Sequence, residues 1–123
     1  MDFKIYTQDG VIWTIKDVDI DMLKSTFANP SAQFINIGPK IMERKGNIAM
    51  VAPVLPEDAT DNLFDVYLNT GTKVVVQAED NEELTSATSQ FNGSRGEFVA
   101  FAGALIGSYA TQRITGFGAI KPE

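Results

Sequence analysis

The chain has 123 residues, no cysteine and no histidine, and a formal net charge of −6. Thiol nucleophiles, disulfides, the usual zinc ligand sets and imidazole acid–base chemistry are thereby excluded, and any metal would be left to carboxylates and carbonyls. Ten basic against sixteen acidic side chains also disfavour a polyanionic partner, since nucleic-acid affinity rests on Lys and Arg at phosphates.

Taken in chain order, 2–7 alternates, with Phe3 and Ile5 on one side and Lys4 and Tyr6 on the other, as a half-buried strand does. Gln8-Asp9-Gly10 signals a hairpin turn, and 11–16 returns as a strand with Val11, Trp13 and Ile15 on one face. Asp19 is placed to cap a helix whose stripe is Ile20, Leu23 and Phe27, and Asn29-Pro30 ends it. Strands are expected over 32–37, 40–44 and 48–52, with turns at Gly38-Pro39 and at Lys45-Gly46-Asn47. The stretch 54–62, rich in proline and acid, is the expected linker. Beyond it lie a second hairpin over 63–78, a helix over 80–90 with Glu82 and Glu83 in its first turn, and strands over 98–101, 104–110 and 113–117. Residues 97–110 also fit helical spacing through Phe98, Phe101, Leu105 and Tyr109.

The two hairpins are related. Phe3, Tyr6 and Gly10 recur as Phe64, Tyr67 and Gly71 at an offset of 61, and Leu23 recurs as Leu84. From Phe27 the offset becomes 64, carrying Phe27 onto Phe91, Phe34 onto Phe98 and Ile37 onto Phe101. An insertion of nearly one helical turn leaves the buried face in place. The repeat also favours strands over 97–110, because its counterpart contains Gly38-Pro39 and cannot be one helix. The expected fold is α+β: two tandem ββαβββ repeats, 1–53 and 63–118, with a loose tail over 119–123, packed with pseudo-two-fold symmetry into one compact, mainly-β domain with two short helices. Units this small are marginal alone and should share a core. The first carries six basic and six acidic residues, while 54–123 carries four and ten, an asymmetry that could orient head-to-tail association.

Candidate sites are sparse. Asn92 to Gly96 with Arg95 is a glycine-rich loop whose amides could cradle an anion, Gly93 and Ser94 included, but it follows a helix rather than preceding one. Gly93 serves equally well to let the chain leave the helix. Arg44 and Lys45 at a hairpin tip, with Arg113 on a strand, form an anion-binding patch if the repeats bring them together. The D-x-D-x-D spacing at Asp17, Asp19 and Asp21 matches the start of a calcium loop, but the match fails at Met22 and Leu23, so helix capping is the better explanation. The aromatic side chains recur at core positions; Tyr6 and Tyr67 stand opposite the core face and are candidates for a contact surface.

These features lead us to expect a non-enzymatic binding protein without cofactor or metal. It would act through protein contacts or hold a small anionic ligand between repeats or protomers, much as small accessory or inhibitor proteins of bacteria and their phages do. The alternatives are a single-stranded nucleic-acid-binding protein, with Tyr6, Tyr67 and Arg113 in the interface, and a structural subunit of a larger assembly. With no signal-like leader and no apolar run of membrane-spanning length, a cytoplasmic setting is expected, and many short strands favour a homo-oligomer.

Overall fold

The structure is a computed structural model that describes residues 2–17, 19–37, 40–80, 82–94 and 97–117. The expected turn at Gly38-Pro39, the candidate Arg95 and the tail 119–123 lie outside the described residues. Along the chain run β1 (Phe3–Thr7), β2 (Ile12–Ile15), α1 (Ile20–Ala28), β3 (Phe34–Asn36), β4 (Met42–Arg44) and β5 (Ile48–Pro53). They are followed by β6 (Leu63–Leu68), β7 (Lys73–Gln77), α2 (Glu83–Gly93), β8 (Phe98–Phe101), β9 (Ala104–Gly107) and β10 (Thr111–Gly116). Short 3-10 turns at Lys45–Asn47 and Ser108–Ala110 lead into β5 and β10. The described residues are thus mainly β with two short helices, and neither helix is long and apolar enough to cross a membrane.

Local chemistry sets these elements. Gly10 and Gly71 take φ of 87° and 89°, which lets β1–β2 and β6–β7 close as tight hairpins. Each turn is then tied to a 3-10 carbonyl, Gln8 N–H donating to Asn47 at 2.6 Å and Asn69 N–H to Ala110 at 2.7 Å. The Asp19 carboxylate caps α1 by accepting from the N–H groups of Asp21 and Met22 at 3.1 and 3.3 Å. Helix α2 begins later than expected, at Glu83, because Asp80 accepts from the N–H groups of Glu82 and Glu83 at 2.9 Å and caps the helix from outside it. The Glu83 carboxylate in turn accepts from Glu79 N–H at 3.0 Å and, across the chain, from Ala102 N–H at 2.8 Å.

Residues 98–107 are two strands joined by Ala102-Gly103, which take φ of 53° and 74°, the positive values that a two-residue type I′ turn requires. Their hairpin lengthens the main sheet, whose order is β2-β1-β5-β9-β8. A three-stranded sheet, β10-β6-β7, and the two-stranded β3–β4 hairpin complete the β structure of the described residues. The central strand β5 is buried on both faces, which explains its unbroken apolar run Ile48-Ala49-Met50-Val51-Ala52. Ile48 and Val51 meet Phe3, Ile5, Leu23, Phe27 and Leu105 under α1. Met50 and Ala52 meet Phe64, Val66, Val76 and Ile106 on the side of α2 and the smaller sheet.

The two halves are joined in one direction. β5 pairs with β9, Met50 opposite Ile106 and Val51 opposite Leu105. A two-fold axis would also bring β10 against β4, and among the described residues it does not: β10 is the edge of its sheet and β4 pairs only with β3. The pseudo-two-fold packing expected from the sequence is therefore not shown: among the described residues the β5–β9 contact is present and a β10–β4 contact is not.

Candidate functional site

The expected anion-binding residues fall in different places. Arg44 ends β4 with its guanidinium 4.4 Å above the centre of the Phe34 ring. Lys45, the next residue, donates from Nζ to the Asn29 carbonyl at the C-terminus of α1, at 3.1 Å. Both line an open cleft of about 380 Å³ with Pro30, Glu97, Phe98 and Tyr109. Its two cations thus already have partners, and Glu97 adds a carboxylate of opposite sign. The Tyr109 hydroxyl has one hydrogen to share between the carbonyls of Ile48 and of Lys45, the latter at 3.1 Å. Burial pushes its pKa up to about 12, although the residue as a whole is 39% exposed.

Arg113 lines a second cleft. On β10 it stands opposite Tyr67 of β6, with its guanidinium 4.5 Å from the ring centre, so the two candidates form one stacked pair on the outer face of the smaller sheet. Tyr6, the counterpart of Tyr67, is instead half-buried against the core between the sheets, and that burial raises its pKa. Gly93 is the last residue of α2, and Ser94 closes the helix by donating from Oγ to the Phe91 carbonyl at 2.8 Å. Neither lines either cleft. Arg44 and Lys45 are brought together; Arg113, Gly93 and Ser94 do not join them. Among the described residues no three acidic side chains converge as metal ligands would.

The second cleft, of about 330 Å³, is walled by Leu84, Thr88 and Phe91 of α2 and by Thr111 to Ile114 of β10. Phe91, Leu84 and Ile114 reach it from the edge of the core. Ser108 also lines it, and the Ser108 hydroxyl is buried there without a hydrogen-bond partner. The matching place in the first half is filled: β9 lies along β5, and Phe98 packs edge-on to Phe27 with ring centres 4.5 Å apart. The second half thus leaves an edge strand and a helix flank open.

The residues left over by this asymmetry were not legible as a site. Phe34, assigned to the core with the other repeated aromatics, is 45% exposed, and Met42 beside it on β4 is 66% exposed. Trp13 is partly exposed on edge strand β2 and donates from Nε1 to the Glu43 carboxylate at 3.0 Å. The spacing that equates Phe34 with Phe98 carries no information on whether a partner strand arrives to cover it. No protein-family model matches the chain, and no significant match was found to a curated protein or a solved structure.

Proposed function

We propose that this chain is a non-enzymatic binding protein that works through protein contacts, and that the cleft between α2 and β10 is its docking surface. The observation that carries the proposal is the open edge of β10 beside Phe91 and Leu84, in a chain whose equivalent edge on β5 is filled by a hairpin. An edge strand presents a row of main-chain donors and acceptors, and an apolar helix flank beside it supplies side-chain pockets, the two ingredients of strand addition. The proposal includes descent from a duplicated ββαβββ unit, supported by the offsets of 61 and 64 and by the same order of elements in each half. A protein partner is favoured over a small anion because Glu97 lines the cleft that holds Arg44 and Lys45 and opposes their charge.

The test is site-specific photo-crosslinking in cells that make the protein. A photoreactive residue replacing Gln112, exposed on β10 in the cleft wall, should capture a polypeptide, and one replacing Asp58, exposed between β5 and β6 and outside both clefts, should not. Capture of nucleic acid at 112, or no polypeptide at 112, would refute the proposal.

A further inference from the structure

Taking the α2–β10 cleft as a protein-docking site, we infer that its occupant is the β3–β4 hairpin of a second copy of this chain. The chain contains its own template for that contact. In the second half, the β8–β9 hairpin lies along β5 with Leu105 opposite Val51 and Ile106 opposite Met50, and its Phe98 covers Phe27 of α1.

Strand pairing fixes the corresponding positions. Phe34 faces Arg44 as Phe98 faces Gly107, Ile35 faces Glu43 as Val99 faces Ile106, and Asn36 faces Met42 as Ala100 faces Leu105. On the receiving side, Val66 faces Ile114 and Tyr67 lies beside Arg113 as Ile5 faces Val51 and Tyr6 faces Met50. A hairpin laid on β10 as β8–β9 lies on β5 therefore sets Met42 opposite Ile114, sets Glu43 opposite Arg113, and brings Phe34 over Phe91.

Each juxtaposition is chemically matched. Met42 and Phe34 are exposed apolar residues of the hairpin, and Ile114 and Phe91 are apolar residues of the cleft. Glu43 and Arg113 are of opposite charge, which favours residues directly opposed across a strand pair, and the pairing adds to the hydrogen bonds that Glu43 accepts from Trp13 at 3.0 Å and from Asn47 at 3.2 Å. One position limits the pairing. At Gly107 a Cβ would come within 3.0 Å of the Ala49 carbonyl, and Arg44 stands in the corresponding place, so the incoming hairpin diverges there and pairs through Met42 and Glu43.

Because the donor hairpin and the receiving cleft are different surfaces, the contact is head-to-tail. Every added copy again offers a hairpin at one end and a cleft at the other, so the product is a closed ring or a filament.

The experiment is sedimentation velocity and native mass spectrometry of the full chain over a concentration series. Wild type should associate with rising concentration, as a two-membered ring closed by both contacts or as a larger ring or filament. Met42→Glu, which disables the hairpin, and Arg113→Glu, which disables the cleft, should each raise the concentration needed for assembly by about tenfold or more. Both side chains are exposed, so the folded chain should keep its circular dichroism spectrum; Phe34→Ser is a second hairpin variant with the same expected effect. Mixing Met42→Glu with Arg113→Glu leaves one intact hairpin and one intact cleft, and should give a heterodimer and nothing larger. Wild type that stays monomeric at every concentration, variants that assemble like wild type, or a mixture that gives no heterodimer would overturn the inference. A monomeric chain whose position 112 still crosslinks to a different protein would overturn it while leaving the docking proposal standing.

Discussion

Replacing Glu83 with alanine should be among the most damaging changes at a partly exposed position. Its carboxylate holds two N–H groups, Glu79 at 3.0 Å and Ala102 at 2.8 Å, and the second belongs to a turn residue that is only 5% exposed. Truncation removes two charge-assisted hydrogen bonds and leaves the Ala102 N–H without its acceptor, a loss of about 2–3 kcal/mol. For a chain of 123 residues, 1 kcal/mol corresponds to about 4 °C in Tm, so the midpoint should fall by about 8–12 °C. Glu83→Gln keeps one carbonyl acceptor and should lose about half as much. Urea unfolding followed by the fluorescence of Trp13, the single tryptophan, together with calorimetry, measures both variants. A loss under about 0.5 kcal/mol for Glu83→Ala would refute the claim that this side chain ties α2 to the β8–β9 turn.

Other changes have distinct signatures. Phe98→Ala should cost about 2–3 kcal/mol, since the ring packs on Phe27 and Tyr109; Phe34→Ala, at the matching position but exposed, should cost the monomer under about 1 kcal/mol in the same urea assay. Asp17→Gly should stabilise by about 0.5–1 kcal/mol, because Asp17 is exposed and held at φ 55°. Stability should fall in alkali: the folded chain keeps the Tyr109 proton up to about 12, whereas the unfolded chain releases it near 10.0, so the contribution is complete below pH 10 and is lost between 10 and about 12. Tyr6, also raised by burial, acts in the same direction. Tyr109→Phe should flatten this loss in unfolding curves recorded across that range.

Much of the architecture could be derived from the sequence because it depends on local rules. Alternation marked β1, Gly10 and Gly71 marked the hairpin turns, Asp19 marked the start of α1, and 98–107 forms strands as expected although helical spacing also fitted it. The start of α2 was misplaced because Asp80, Glu82 and Glu83 all suit a first turn, and only their hydrogen bonds show that Asp80 stays outside. The candidate site was far less legible. Arg44 looks like a free cation in sequence, yet it stacks on a cross-strand neighbour, and Lys45 bonds a helix end sixteen residues away. The cleft beside β10 depends on which strand fails to arrive, a non-local fact with no pattern in the residues that line it.

The most direct measurement is amide hydrogen exchange of β5 and β10 as a function of protein concentration. β5 is paired on both edges within one chain, so its amides should be protected at every dilution. Among the described residues β10 is paired only with β6, so its outward amides should exchange fast when dilute and become protected as the chain is concentrated. Outward β10 amides that are protected equally at all concentrations, or exposed at all of them, would contradict an open edge filled by a second copy.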